Sequence, residues 1–366
     1  MQFIDIRTQY QIYKTEIDKE VSKVLEGGQF ILGEQVGRIE DILAKYIGVK
    51  HCLTVASGTD SLLIALMALG VQAGDEVITV PFTFISTAEV VSLIGAKPVF
   101  VDIEPETFNI DVNQIEKAIT PKTKAIMPVS LFGQMPDYDT INSIAAKYNL
   151  PVIEDAAQSF GATQKGRMSC GVTTIGSTSF FPAKPLGCFG DGGALFTNDD
   201  DLARKMRAIR AHGSEKKHEH PILGINGRFD TMQAAVLLAK FPHYPKEVEA
   251  RGRLGARYSE LLADSCVTPV VQDENTHVYA QYTIRVENRE ELQQALKEKE
   301  IPSAVYYPKC LHEQPVFADL GYDKGSFPGA EKAADEVLSL PMHPFLTSEE
   351  QDRVVEVIKE CQVACV

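Results

Sequence analysis

The chain has 366 residues and a mass of 40.3 kDa, 44% of them hydrophobic, which is enough to bury a large core and long enough for two domains. Fifty acidic residues against 36 basic ones leave a formal charge of -14, which argues against non-specific binding to nucleic acid or to an anionic membrane, so an anionic ligand needs a local basic site. No apolar run approaches the ~20 residues of a membrane span, and Met1-Gln2-Phe3-Ile4-Asp5 lacks the basic, apolar start of a signal peptide, so a cytoplasmic protein is expected. Cys52, Cys170, Cys188, Cys266, Cys310, Cys361 and Cys365 are scattered without a CxxC pair and read as thiols outside any disulfide framework; no metal site is expected.

Ile12, Ile17, Val21, Val24 and Leu25 recur at helical spacing until Gly27-Gly28 stops the run. Val36, Ile39, Ile42, Leu43 and Tyr46 mark a second amphipathic helix that stops near Gly48. From His51 onward short apolar runs alternate with helices. Strands are predicted over 51–56, 76–80, 98–103, 125–131 and 152–153, and helices over 61–69, 86–94, 112–119 and 138–148. Such alternation implies an α/β fold with a mainly parallel sheet flanked by helices and a ligand outside the carboxyl ends of the strands. Function is then expected in the turns that follow strands.

Three of those turns carry chemistry. The first, Ala56-Ser57-Gly58-Thr59-Asp60, joins a strand to a helix start, where free amides, a glycine for close approach and two hydroxyls suit a phosphate; Ser, Thr and Asp also favour an ordinary N-cap. The second, Val152-Ile153-Glu154-Asp155-Ala156-Ala157-Gln158-Ser159, is an apolar strand ending in two carboxylates. A strand-end carboxylate is often a cap or a salt-bridge partner; beside a pyridine ring, a buried aspartate stabilises the protonated ring nitrogen and strengthens the ring as an electron sink.

The third turn runs from Ser177 to Gly193 and holds one lysine, Lys184, among aromatic, proline and glycine residues. Pro185 disfavours the helical region for Lys184, and Pro182 does the same for Phe181, so the lysine sits on an irregular turn between an apolar strand and the strand predicted at 194–197. Under apolar cover a lysine loses its proton more easily and becomes a nucleophile fit for Schiff-base chemistry; the alternative is a surface lysine in a glycine-rich loop. Phosphate cradle, strand-end aspartate and desolvated lysine, in that order, are the parts that pyridoxal phosphate requires. Their joint occurrence is far more specific than any one of them.

Beyond the loop, 200–212 reads as a helix and 215–220 as a charged loop, a tract that holds Arg204, Lys205, Arg207, Arg210, His212, Lys216, Lys217, His218 and His220. Such a run is usually a solvated face; part of it could meet an anionic substrate. Asn226-Gly227-Arg228-Phe229-Asp230 precedes a helix at 231–238, and from about Pro245 the pattern shifts to a long charged segment, 245–262. Strands at 278–286 and 303–307 and helices at 290–300 and 349–361 follow. The expected division is a large cofactor-binding domain, 1–245, and a smaller C-terminal α/β domain, 246–366.

These residues resemble the DegT/DnrJ/StrS-type pyridoxal-phosphate-dependent nucleotide-sugar aminotransferases, which have the aspartate-aminotransferase fold (fold type I). The resemblance spans nearly the whole chain and rests on Phe3-Ile4-Asp5, Ala56-Ser57-Gly58-Thr59, Pro81-Phe82-Thr83-Phe84, Glu154-Asp155-Ala156-Ala157-Gln158, Ser179-Phe180-Phe181, Gly190-Asp191-Gly192-Gly193 and Leu340-Pro341. It implies that Lys184 is the Schiff-base lysine and Asp155 the partner of the pyridine nitrogen, with Gln158 beside the phenolic oxygen and Phe84 stacked on the ring. Gly58, Thr59 and Ser179 look like phosphate ligands. Asn226, from a neighbouring subunit, also reaches the phosphate in this family, and Arg228 lies near the substrate, which implies a homodimer with composite sites.

Within the family, Gly133-Gln134, Tyr279-Ala280-Gln281-Tyr282 and Leu340-Pro341-Met342-His343-Pro344 look most like enzymes that aminate a UDP-linked 3-keto-N-acetylglucosaminuronic acid for O-antigen and related polysaccharides. L-glutamate is the donor this implies. Tyr306 and Cys310 stand where relatives often show His and Pro, and Arg228, Tyr306 and Lys309 are the candidate substrate contacts. A UDP- or dTDP-linked 4-keto-6-deoxyhexose is the alternative acceptor, and a non-catalytic, cofactor-bound regulatory relative the alternative role. Sugar dehydratases of this type replace the lysine with histidine, whereas Lys184 is present; a Rossmann oxidoreductase would need GxGxxG after the first strand, where this chain has Ser57-Gly58-Thr59-Asp60.

Overall fold

The computed structural model describes residues 1–216 and 218–363; Lys217 of the basic tract and Cys365 lie outside the described residues. The two opening amphipathic runs form helices Ile6–Gly27 and Glu34–Ile47, with Gly28 and Gly48 as their C-caps. Asp5 caps the first by accepting a hydrogen bond from Thr8 N at 2.8 Å. Tyr13 and Ile17 of the first helix and Ile39 and Leu43 of the second bury against Val236 and Leu237 of helix Thr231–Lys240.

Strands β1 (His51–Val55), β2 (Glu76–Thr79), β3 (Lys97–Phe100), β4 (Thr123–Ile126), β5 (Ile153–Asp155), β6 (Ile175–Ser179) and β7 (Gly193–Thr197) form two ladders, β3-β2-β4 and β5-β6-β7-β1. Parallel bridges Ile126–Val152 and Val129–Asp155 join the ladders into one sheet. Every strand runs the same way except β7, which is antiparallel to both β6 and β1. The exception has a simple cause. Parallel neighbours need a crossover, usually a helix, but between β6 and β7 there is only the loop that carries Lys184, so the chain turns back. That loop therefore leaves and returns at the carboxyl ends of the parallel strands.

Strands β5 and β7 are buried at every residue and β1 at all but its first, so they are covered on both faces and read as continuous apolar runs without alternation. On one face Leu62, Leu66, Val90 and Met206 pack with Val77 and Leu195. On the other, Ile115, Ile141 and Ile144 pack with Ile78 and Ile126.

The segment expected as a charged stretch from 245 is a helix, Tyr244–Leu262, in which Glu247 and Arg251 are themselves buried. It leads to a two-stranded antiparallel ladder, β8 (Tyr282–Arg285) with β9 (Val337–Leu340), and to helices Arg289–Glu298 and Ser348–Val363, around a core of Tyr258, Tyr282, Leu292, Leu338 and Ile358. The strand expected over 278–286 starts late because Val278 N bonds to Gly133 O instead of to a neighbouring strand. The strand expected over 303–307 reduces to a single bridge, Ala304–Ser339, between Pro302 and Pro308.

Candidate active site

The turn after β1 feeds helix Gly58–Ala68, whose N-cap Ser57 accepts a hydrogen bond from Asp60 N at 3.0 Å. The first amides of that helix have no partner within it and point to the carboxyl edge of the sheet. Gly58 allows the end of β6 to come close, since a Cβ there would fall 2.7 Å from Ser179 Cβ. Thr59 Oγ1 lies 2.8 Å from Ser86 Oγ, at the start of helix Ser86–Leu93. Gly58 and Thr59 at the helix start and Ser179 at the end of β6 thus lie together, a group of amides and hydroxyls of the kind that can hold an anion.

At the end of β5, successive side chains point to opposite faces of the sheet. Glu154 turns inward and accepts from Ser130 Oγ, Ser169 Oγ and Cys170 N at 2.7–2.8 Å. Asp155 turns the other way and accepts from Thr87 Oγ1 at 2.8 Å and Ala157 N at 3.2 Å. Burial raises the Asp155 carboxyl above its ordinary value, while Thr87, Ala157 N and the charge of Lys184 pull it back. Thr87 is a contact the sequence reading missed. It follows the aromatic Pro81–Phe84 turn, where the sequence pattern marks only the helix predicted over 86–94.

Gln158 is buried, and its side-chain oxygen accepts from Phe132 N at 2.8 Å, which fixes the amide so that Nε2 donates to Tyr307 Oη at 3.2 Å. One Nε2 hydrogen remains. Tyr307 packs edge-on to Phe82 at 6.2 Å and tilted to Phe84 at 6.3 Å, and burial, with the charge of Asp155, holds its phenol well above the ordinary range. Phe84 is 56% exposed, so it is free to cover a planar ring. Sequence reading chose Tyr306 and Lys309 from this segment. The structure points Tyr307 at Gln158, leaves Lys309 exposed and sets Tyr306 between Phe3 and Tyr307. Cys310 is buried in the core and its backbone N–H donates to Glu313 Oε2 at 3.3 Å, so it is a packing residue.

Lys184 sits in the loop between β6 and β7, its amide donating to Phe181 O at 2.8 Å. Burial lowers its ammonium to about 8, with Asp155 as the charge that opposes the shift. At pH 8 about half of it is then the free amine. Cys188 lies four residues on, fully buried, its thiol 3.1 Å from Phe180 O and Gly190 O, and burial pushes it up to about 11; it packs and does not react.

Asn226 and Arg228 lie on the segment that runs beside the end of β1, where Gly227 O accepts from Ala56 N at 2.9 Å. Asn226 is exposed and bridges Ala211, while Arg228 pairs with Val55 through its backbone and lines a cleft of about 470 Å³ with Ser57, Asp60, Asp191 and Gln233. Arg228 Nε is buried without a partner.

The sequence profile of the DegT/DnrJ/EryC1/StrS aminotransferase family matches residues 11–359. A UDP-2-acetamido-2-deoxy-3-oxo-D-glucuronate aminotransferase from Pseudomonas aeruginosa is 52% identical, covering 94% of this chain and 96% of that protein. A pleiotropic regulatory protein from Geobacillus stearothermophilus is 51% identical, covering 98% and 97%. The crystal structure of ntda from Bacillus subtilis with bound cofactor PMP (pyridoxamine phosphate) is similar to this chain with a TM-score of 0.89 and 35% identity, covering 96% of this chain and 82% of that one.

Proposed function

We propose, from the premise that the chain belongs to the DegT/DnrJ/EryC1/StrS aminotransferase family, that it moves the amino group of L-glutamate to a UDP-linked 3-keto sugar, UDP-2-acetamido-2-deoxy-3-keto-glucuronic acid, in the cytoplasmic assembly of a surface polysaccharide. It is a pyridoxal-phosphate-dependent sugar aminotransferase. The choice of acceptor is carried by one observation, the 52% identity to the Pseudomonas aeruginosa enzyme over nearly the full length of both chains. A second reading, a regulatory protein, is favoured by the 51% identity to the Geobacillus stearothermophilus relative. Against it stands the site itself, in which Lys184, Asp155 and Gln158, the set that transamination asks for, are all present.

Pyridoxal phosphate, when bound, supplies an aldehyde carbon and a pyridine ring that takes up the electrons of a breaking C–H bond. Gly58, Thr59 and Ser179 would hold its phosphate, Asp155 its ring nitrogen and Gln158 its phenolic oxygen. Lys184 would anchor it covalently through Nζ and, once released, take the proton from the α-carbon of the donor and return one at the acceptor's C3 in the second half-reaction. Tyr307 and Phe84 would exclude water from the ring face. Each of these roles asks only for groups that the carboxyl edge of the sheet already brings together.

The visible spectrum tests the reading. Purified protein with cofactor is expected to be yellow, to bleach on adding L-glutamate, and to recover its colour with the UDP-linked 3-keto-uronate but not with dTDP- or UDP-linked 4-keto-6-deoxyhexoses. Recovery with a 4-keto sugar alone would overturn the acceptor, and a yellow protein indifferent to glutamate would favour the regulatory reading.

The proposal includes a homodimer. Phe30, Ile31 and Leu32 beside Asp230, Phe181 in the Lys184 loop and the 88% exposed Leu223 give one subunit an apolar surface that a second copy would cover. The same proposal makes the site composite, with Asn226, which is exposed on its own subunit, and Arg228 reaching the cofactor and substrate of the second copy. Mixing Lys184→Ala chains with Asn226→Ala/Arg228→Ala chains, each inactive alone, is expected to restore about one quarter of the sites in a two-fold dimer. No recovery after exchange of subunits would remove the composite site.

A further inference from the structure

Helix Thr231–Lys240 grips the loop that carries Lys184 at two points. Gln233 Oε1 accepts from Phe189 N at 2.8 Å, and two turns further along the same face Lys240 Nζ donates to Gly187 O. Lys240 is only 3% exposed, at the end of its helix, with the Phe189 ring 5.4 Å from its ammonium. Glu247, Cys188 and Arg251 are the titratable groups that face it, and burial lowers its own ammonium to about 8. Glu247 is buried as well and its two oxygens are taken by Gln9 Nε2 at 3.0 and 2.9 Å. A buried lysine costs desolvation, part of which is offset by giving the buried Gly187 carbonyl a donor.

The place where Lys240 pulls makes sense of that cost. The turn at Gly187 lies flat on the first half of the loop, because a Cβ there would fall 2.5 Å from Pro182 O and 2.7 Å from Phe181 O. Phe181 O is also the acceptor for Lys184 N, and Cys188 N closes the loop on Phe180 O at 2.8 Å. A shift of the Gly187 carbonyl is therefore passed directly to the residues on either side of Lys184.

We propose that Lys240, acting with Gln233, is a positioning residue that fixes the turn from Gly187 to Phe189 and so sets where Lys184 Nζ sits and how far it is shielded from water. Neither side chain reaches the reacting atoms; they act through the backbone of the loop. The proposal rests on the reading of Lys184 as the cofactor lysine, and its test separates the two.

The experiment is competitive labelling of Lys184 with an amine-selective acylating reagent across pH, read by peptide mass on the full-length protein with and without pyridoxal phosphate. Wild-type protein without cofactor is expected to label with a midpoint near 8. Lys240→Met should raise that midpoint by about one unit, a tenfold fall in free amine at neutral pH, as the loop loosens and water enters. Lys240→Gln keeps an N–H donor for Gly187 O and should restore the wild-type profile, while Gln233→Ala should shift it in the same direction by less. If Lys240→Met and Lys240→Gln lower the melting temperature alike and leave the midpoint where it was, the lysine only stabilises the fold and the proposal fails. If the methionine variant does not fold, an unchanged midpoint in Gln233→Ala has the same force. Cofactor that fails to protect Lys184 from label in the wild-type protein would instead remove the role of Lys184 and leave the clamp standing.

Discussion

Lys184→Ala is expected to lower the rate of transamination by about ten-thousand-fold, the upper range for losing a positioned acid–base group, and to abolish the yellow colour that a covalently held cofactor gives. The variant should nevertheless fold. In the cofactor-free protein the half-buried Lys184 is a liability, because its folded pKa of about 8 lies below the ordinary 10.5. A group whose charged form is disfavoured in the fold lowers stability most where both states are protonated, below pH 8, and this loss disappears as pH rises through 8 toward 10.5. Lys184→Ala should therefore melt no lower than wild type at pH 7, with any advantage shrinking above pH 8. Thermal scans at pH 7 and pH 10 alongside stopped-flow rates would check both halves. A variant that melts well below wild type at pH 7 would make Lys184 a structural residue, and one that retains the wild-type rate would make another group the base.

The core of this site could be read from the sequence because each part coincides with a break in a regular pattern. Pro182 and Pro185 keep Lys184 out of a helix, Asp155 ends a strand that is apolar up to its last pair, and Ser57-Gly58-Thr59 interrupts a strand-to-helix passage. Local chemistry decides such positions. What stayed hidden depends on non-local packing. Tyr307 sits among residues that alternate like a strand, and only the docking of 304–311 against Ser339 and Pro81 O turns it toward Gln158. Helix Tyr244–Leu262 reads in the sequence only as a long charged segment, because composition does not reveal that Glu247 is held by Gln9, more than two hundred residues earlier, or that Arg251 donates to Tyr279 O and Met342 O. The alternation of strands and helices pointed to a mainly parallel sheet, but the order β3-β2-β4-β5-β6-β7-β1 follows from tertiary pairing alone.

Asp155→Asn isolates the charge of the strand-end carboxylate from its geometry. An asparagine can keep its oxygen on Ala157 N and turn its amide toward Thr87 Oγ1, whose own hydrogen can pass to Thr83 Oγ1 at 3.1 Å, so the hydrogen-bond pattern survives. Removing the charge has two consequences of opposite sign. Asp155 is the group that holds the Lys184 ammonium up against desolvation, so the labelling midpoint of Lys184 should fall further below about 8 and more of it should be free amine at pH 7. If the supply of free amine limited the reaction, the variant would be faster. We expect it to be slower by about a hundred- to a thousand-fold, the usual loss when one preorganised electrostatic partner is removed, because the ring nitrogen would no longer have a buried anion to keep its proton. Thr87→Ala, which keeps the carboxylate and removes one hydrogen bond, should lose far less, on the order of 1 kcal/mol. A lower Lys184 midpoint together with a slower reaction would assign Asp155 to the ring and not to the lysine; a lower midpoint with an unchanged or faster reaction would reverse that assignment.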